Sequence, residues 1–433
     1  MDTYKVGQLK DSPDITVSVP GSKSITNRAL LMAAMAQGVT TLSGVLFSDD
    51  SRYFLQALQD LGFSVETNEE KKCVRVEGLG GRIPKKKAEI YVGSAGTAAR
   101  FLTAFVAMAE GTYLLKSSPQ MQKRPMKELL DALRELGADI RCTEQEDTFP
   151  VEITGIGKQC DESREISLNI DRSSQFLSAL LMTAPLRFQK LRICLTGQRS
   201  ARSYVEMTEQ MMKQFGHPGV TRVDENCYEV SQAAYEAKDY PVEPDVSAAC
   251  YFYGMAAITG GRACVPYMRQ DSLQGDMKFL SVLEQMGCEL FWQEGNLYLQ
   301  GPESGALKGI DVDLSDFSDQ TLTLAAIAPY ANAPVTVRNV GHIRGQECDR
   351  IQAIETNLTR MKVRCDVTED GFTIYPSKPQ PTVVETYDDH RVAMAFALTG
   401  LRAEGIVITN PHCCKKTFEN YFEVLDKVLK DNC

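Results

Sequence analysis

The sequence predicts an α/β chain of two domains, each holding three copies of one helix-and-strand unit, and three observations carry that expectation. Segments with apolar residues at helical spacing end in a turn and give way to strand-like alternation about every 75 residues; Gly62, Gly137, Gly216 and Gly287 close the first four and Lys362 the fifth. Five other segments, Gly96–Met108, Ser174–Met182, Ser247–Ile258, Ser318–Ile327 and Asp389–Leu401, are rich in Ala, Leu, Met and Phe all round, as helices buried on every side are. Tyr240-Pro-Val-Glu-Pro244 then interrupts the pattern after three units. With a matching crossing near Pro20, the expected domains are 1–20 plus 242–433, and 21–241. A long-period unit of this kind indicates a solenoid, a propeller or a pseudo-symmetric array.

In chain order, Pro20 and Gly21 break a strand at Ile15–Val19, and Ser22 or Ser24 caps a helix that runs to Ala36. Lys23 and Arg28, about one turn apart at the mouth of that helix, make an anion site with the free N–H groups there. It is not a Walker A loop, because Ser22 stands where that pattern needs Gly. Ser51–Gly62 is followed by strands Phe63–Glu66 and Cys73–Glu77, and Met126–Gly137 by Ala138–Cys142 and Pro150–Thr154. Tyr204–Gly216 repeats the scheme, as does Phe279–Gly287 with Cys288–Trp292 and Asn296–Gln300, and then Ile351–Met361. Gly after the last turn suits the left-handed cap that reverses the chain. Phe418–Leu429 reads as a sixth such helix with no strands after it, so its partner strands are expected from the N-terminus.

A net charge of −10 over 433 residues argues against general binding to nucleic acid or anionic membranes; positive charge that clusters must serve a local purpose. Thirteen cysteines without a C-x-x-C pair, and only Cys413-Cys414 adjacent, indicate free thiols in a reducing compartment and no zinc site. The segment Met1–Val6 has no apolar core, and the longest apolar run, Ala29–Ala36, is too short to span a bilayer. A cytoplasmic protein is expected, monomeric for want of a coiled coil or long hydrophobic edge.

Four more segments put a small-residue turn and charge before a buried helix: Gly93–Arg100, Asp171–Gln175, Glu385–Arg391 with His390 and Arg391, and Cys413–Phe418 with Lys416. Each fits either helix capping or a ligand. In His342-Ile-Arg-Gly-Gln-Glu-Cys-Asp-Arg350, Glu347 can donate or accept a proton beside Arg344 or Arg350. Asp319 reads equally as an N-cap or a general base.

Taken together, these residues resemble the 5-enolpyruvylshikimate-3-phosphate synthase family. The resemblance runs through Pro20-Gly-Ser-Lys-Ser with Asn27-Arg28, Ser48-Asp-Asp50, Gly96-Thr-Ala-Ala-Arg100, Arg124-Pro125, Ser173-Ser-Gln-Phe-Leu, Leu180–Pro185, Asp276, Glu347-Cys-Asp-Arg350, Asp389-His-Arg391 and Lys416-Thr-Phe418. It implies an inside-out α/β pseudo-barrel of six βαβαββ repeats, three per domain about a pseudo-threefold axis, with a substrate cleft between the domains. It also implies that Lys23, Ser24, Arg28, Ser173, Ser174, Gln175, Tyr204 and Asp319 serve shikimate 3-phosphate, with His342 and Gln346 on the same side. Lys23, Gly96, Arg124, Gln175, Arg350, Arg391 and Lys416 are implied for phosphoenolpyruvate, a subsite that the inhibitor glyphosate also occupies in this family. Asp319 and Glu347, with Lys23 a partner in either transfer, match the family's proton-transfer groups. Gln346 and His342 depart from the Lys and Asn frequent there, Ser94 replaces a common Asn, and Ala201, next to Ser200, replaces a phosphate-binding Ser.

The chemistry fits those residue types. An attacking hydroxyl must lose a proton while the methylene of phosphoenolpyruvate gains one, and fixed Arg and Lys charges stabilise the anions without a metal or cofactor. Two alternatives remain at this level. One is the sister transferase acting on UDP-N-acetylglucosamine, although Gly111–Arg124 lacks the Cys or Asp of that family. The other is a non-catalytic anion-binding repeat scaffold.

Overall fold

The computed structural model describes residues 2–9, 12–157, 160–197 and 202–432. The chain divides into two compact units, Gly21–Val242 on one side and Met1–Pro20 with Glu243–Cys433 on the other.

Within Gly21–Val242 the repeated element is clearest in the middle. Strand Lys87–Tyr91, helix Gly96–Ala107, strand Thr112–Lys116, helix Lys127–Glu135 and strands Asp139–Cys142 and Val151–Thr154 follow one another. The first two strands pair in parallel, and the second pairs antiparallel with the last. Strands Cys160–Asn169, Phe188–Thr196, Val220–Arg222 and Cys227–Ser231 repeat that order with helices Gln175–Thr183 and Arg202–Gln214. In the remaining sheet, Gln37–Ser43 lies in parallel beside Asp239–Pro241, a strand from the far end of the unit. Helix Gly96–Ala107 is buried at every position and packs on both Lys23–Met35 and Gln175–Thr183.

The other unit mirrors the borrowing. Asp14–Thr16 pairs in parallel with Arg262–Val265 and supplies the first strand of the sheet that includes Glu289–Gln293 and Asn296–Gln300. Strands Ile310–Asp313, Val335–Arg338, Cys365–Val367 and Phe372–Ile374 form the next sheet. In the last, Thr382–Val384 and Ile406–Thr409 are joined by Thr3–Lys5, so the N-terminus donates one strand here and another to a different sheet. The buried helices Val246–Thr259, Thr321–Ile327 and His390–Gly400 pack on one another.

Gly62, Gly137, Gly216 and Gly287 take φ between +84° and +107°, and Lys362 takes +61°, so the reversing turn has the left-handed backbone that glycine adopts without steric cost. Two expectations are corrected. The N-terminal strand is only Asp14–Thr16, because Val17–Pro20 leads into the crossing. The cysteines are not all free: Cys194 and Cys227 face each other in antiparallel register with Cα atoms 4.2 Å apart and form a disulfide across 33 residues of sequence, a pairing that no local motif signals. No described helix is long and apolar enough to cross a membrane.

Candidate functional site

In the unit Gly21–Val242, candidate residues stand at the N-termini of the three buried helices. Ser22 caps Lys23–Met35 by accepting from the Ile25 N–H, which settles the choice between Ser22 and Ser24. Lys23 opens the helix with Nζ 3.7 Å from Oδ2 of the buried Asp50, itself in the first turn of helix Asp49–Asp60. Arg28 points inward. It donates from Nε to Thr208 Oγ1 (2.8 Å), from Nη1 to the Ser24 carbonyl (3.0 Å), and from Nη2 to Ser178 Oγ (3.2 Å) and the Tyr204 carbonyl (3.4 Å). Burial lowers this guanidinium to about 10, so it stays charged at neutral pH. Arg28 and Tyr204 therefore meet, with the Tyr204 carbonyl as an acceptor.

Gly96 begins the second helix, and the Arg124 guanidinium lies directly over it: a β-carbon there would fall 2.6 Å from Nη1. Arg124 also donates to the Ser94 carbonyl, a contact that any residue at 94 would offer. At the third helix, Ser173 Oγ accepts from the Gln175 N–H (3.3 Å), and Ser174 is buried beside it. Arg100 donates to Gln175 Oε1 (2.6 Å) while Gln175 Nε2 donates to Thr97 Oγ1 (3.1 Å), which fixes the amide face. The role of Arg100 is absent from the sequence reading; its place one turn after Gly96 was the available signal. Ser200 and Ala201 lie outside the described residues.

In the other unit the charged candidates converge on Arg350, the first residue of helix Arg350–Arg360, whose side chain is 2% exposed. Its Nε donates to Asp389 Oδ2 (2.8 Å), Nη2 to Glu347 Oε2 (3.0 Å) and Asp389 Oδ1 (3.3 Å), and Nη1 to Asp319 Oδ1 (3.2 Å) and Gln346 Oε1. Glu347 Oε1 meets Lys416 Nζ at 3.0 Å, and Asp319 Oδ2 accepts from Arg391 Nη2 at 2.8 Å. Burial alone would lower the Arg350 guanidinium, but Asp389, Glu347 and Asp319 hold it above its ordinary value.

These positions answer two questions that the residues left open. Asp319 is not the N-cap of helix Thr321–Ile327, which is Gln320; its two oxygens face Arg350 and Arg391. Glu347 pairs with Arg350, whereas Arg344 binds Asp349 and the carbonyls of Thr368 and Glu369. His342 Nε2 lies 2.7 Å from Ser318 Oγ, next to Asp319. Gln346 is bonded to Arg350, a tie between residues that the resemblance assigns to different substrates. Asp389, to which the resemblance gives no role, is wholly buried, caps helix His390–Gly400 and grips Arg350 with both oxygens. Only its place before His390-Arg391 could have hinted at it.

Chemically, this is a cationic cluster interleaved with carboxylates at the mouths of buried helices. Helix dipoles and guanidinium forks suit phosphate and carboxylate ligands. Asp319, the most exposed of the three carboxylates at 20%, and Glu347 at 7% are the acid–base groups within reach.

A family model described as EPSP synthase (3-phosphoshikimate 1-carboxyvinyltransferase) matches residues 12–425. The chain is 46% identical over 430 residues to the 3-phosphoshikimate 1-carboxyvinyltransferase of Trichormus variabilis, covering 99% of this chain and all of the relative. It is 40% identical to the chloroplastic enzyme of that name from Arabidopsis thaliana, over 96% of this chain and 82% of the relative. A solved EPSP synthase from Acinetobacter baumannii superposes with a TM-score of 0.79 at 25% identity, covering 98% of this chain and 97% of that one. With the family model matching nearly end to end and the Trichormus variabilis relative alike over its full length, the chain belongs to the EPSP synthase (3-phosphoshikimate 1-carboxyvinyltransferase) family.

Proposed function

We propose that this chain transfers the enolpyruvyl group of phosphoenolpyruvate to the 5-hydroxyl of shikimate 3-phosphate, releasing phosphate, in aromatic amino acid biosynthesis. One observation carries the reading: Arg350 joins Asp319 and Glu347, two carboxylates able to move protons, to a cluster with Arg391 and Lys416 that suits a small anion. Asp319 takes the proton of the attacking hydroxyl as its oxygen bonds to C2 of phosphoenolpyruvate. Once the anionic substrates lie against Arg350 and Lys416, Glu347 takes up a solvent proton and delivers it to C3, giving a methyl group and a tetrahedral intermediate. Loss of a proton from that methyl then expels phosphate and restores the double bond. Lys416, paired with Glu347, and the guanidinium groups hold the carboxylate and phosphate oxygens throughout. Lys23, Gly96 and Arg124 serve phosphoenolpyruvate, and Ser24, Ser173, Ser174 and Gln175 serve shikimate 3-phosphate, with Arg28 and Arg100 shaping their surroundings. The units Gly21–Val242 and Met1–Pro20 with Glu243–Cys433 are the enzyme's two domains. The protein works as a cytoplasmic monomer. The family match favours neither transfer to UDP-N-acetylglucosamine nor a non-catalytic scaffold.

The test is phosphate release from purified protein. Release should require both shikimate 3-phosphate and phosphoenolpyruvate and should persist in EDTA; turnover with UDP-N-acetylglucosamine instead, or strict dependence on a divalent metal, would overturn the reading.

Two substitutions probe the cradle. Gly96→Ala puts a methyl where the Arg124 guanidinium lies. Because that group is the far end of a flexible side chain, it moves aside and the fold survives. The KM for phosphoenolpyruvate should rise by about tenfold, the equivalent of one charge-assisted hydrogen bond, and glyphosate should weaken in parallel. Unchanged values would reduce Gly96 to a helix-start glycine. Gln346→Lys removes the carbonyl that accepts from Arg350 and sets an ammonium beside the guanidinium. Its effect should therefore reach both substrates, and steady-state kinetics with each varied in turn would show a shift in the shikimate 3-phosphate KM alone if the Gln346–Arg350 contact were unimportant.

A further inference from the structure

Beyond the groups assigned above, the cluster contains a buried carboxylate that the reaction does not use. Asp276 lies in the turn Gly275–Met277, and its Oδ2 is hydrogen-bonded to Ser247 Oγ. Ser247 is in the first turn of helix Val246–Thr259, whose N-cap is Asp245 rather than Asp276. The same hydroxyl accepts from Arg391 Nη2 at 3.4 Å, and Arg391 Nη2 donates to Asp319 Oδ2 at 2.8 Å. A continuous chain thus runs from Asp276 through Ser247 and Arg391 to Asp319. The turn that carries Asp276 is itself pinned: Gln274 Oε1 accepts from the Val246 N–H (3.0 Å), and Gln274 Nε2 donates to the Pro244 carbonyl (2.8 Å) and to Glu243 (3.2 Å).

Burying a carboxylate without a direct cation is costly. The hydroxyl between Asp276 and Arg391 gives the arrangement a use. An ionised Asp276 takes the Ser247 proton as a hydrogen bond, so the oxygen must present its lone pairs to Arg391. A protonated Asp276 can instead donate to that oxygen, leaving the hydroxyl hydrogen to turn toward the guanidinium. Resting on the reaction given above, we propose that Asp276, acting through Ser247, is a positioning residue that aims the Arg391 guanidinium at phosphoenolpyruvate and keeps it on Asp319.

Asp276 is poised to report on this. Burial first, then Asp319 and Asp245, raise its carboxyl, while Arg391 and the Ser247 hydroxyl lower it, leaving it at about 7; Cys250 faces it as well. The aligned, ionised form therefore prevails above about pH 7 and is lost as pH falls.

The experiment is steady-state kinetics of the full chain from pH 6 to 8.5, with Asp276→Asn, Ser247→Ala and Ser247→Thr. In the unsubstituted protein the KM for phosphoenolpyruvate should fall as pH rises through about 7. Asp276→Asn, whose amide can donate permanently to Ser247, should lock the low-pH state: a phosphoenolpyruvate KM raised about fivefold to tenfold at pH 8, no step near pH 7, and a shikimate 3-phosphate KM within about twofold. Ser247→Ala should do the same and Ser247→Thr should restore the low KM. Asp276→Asn is isosteric and carries the test if Ser247→Ala does not fold. A low KM in Asp276→Asn, or equal movement of both KM values, would overturn the proposal. Absence of phosphate release by the unsubstituted protein would instead overturn the assigned reaction.

Discussion

Glu347→Gln is expected to lower kcat for phosphate release by about 10²- to 10⁴-fold, the range found when a positioned acid–base group is lost. The carboxylate stands between two cations, 3.0 Å from Arg350 Nη2 and 3.0 Å from Lys416 Nζ, with only 7% of the side chain exposed. Glutamine fills the same volume but can neither deliver nor remove a proton at the methylene carbon. Its NH2 group must also face one of the two cations that Glu347 now neutralises. The KM for phosphoenolpyruvate should change less than kcat, because Arg350, Arg391 and Lys416 all remain. Kinetics at saturating substrate would check this, and a kcat within about fivefold of the unsubstituted protein would remove Glu347 from the proton-transfer step.

Arg350→Ala should cost stability as well as activity. With a side chain 2% exposed, Arg350 is the common partner of Asp389, Glu347 and Asp319, and Asp389 is fully buried. Removing one partner of a buried pair leaves uncompensated charge, a loss of about 3–5 kcal/mol. Arg350→Lys should recover little of it, since one ammonium cannot reproduce the Nε and Nη2 contacts that grip both oxygens of Asp389. Urea denaturation of the two variants would show both midpoints lowered, alanine more than lysine. An alanine variant with an unchanged midpoint would mean that the carboxylates find other partners.

What the sequence made legible was local. The buried helices announced themselves because apolar residues surround them, and the reversing turns because Gly62, Gly137, Gly216 and Gly287 need a left-handed backbone. Helix starts such as Lys23, Gly96 and Ser174 were readable for the same reason: caps and small residues act within one turn. Partnerships between distant segments were not, beyond the expectation that the N-terminus supplies strands to the C-terminal part of the chain. Asp239–Pro241 beside Thr41–Ser43, Asp14–Thr16 beside Arg262–Cys264, and Cys194 against Cys227 depend on how sheets assemble, which alternation within each strand does not encode. Within the site, the residue types around Arg350 were visible, but its grip on Asp389 spans 39 residues and its bond to Gln346 depends on side-chain direction. Arg28 reads from the sequence as an anion-holding cation at a helix mouth; its burial follows from Thr208 and Ser178, both on other helices.

The most direct test of the proposed chemistry is the reaction run in D2O with shikimate 3-phosphate and phosphoenolpyruvate, followed by mass spectrometry of the enolpyruvyl product. If C3 is protonated to a methyl group and then deprotonated, solvent deuterium must appear in the product's methylene. Glu347→Gln should form product far more slowly, with the transfer of that proton as its impaired step. Product formed at full rate with no deuterium in the methylene would contradict a tetrahedral intermediate, and with it the role of Glu347.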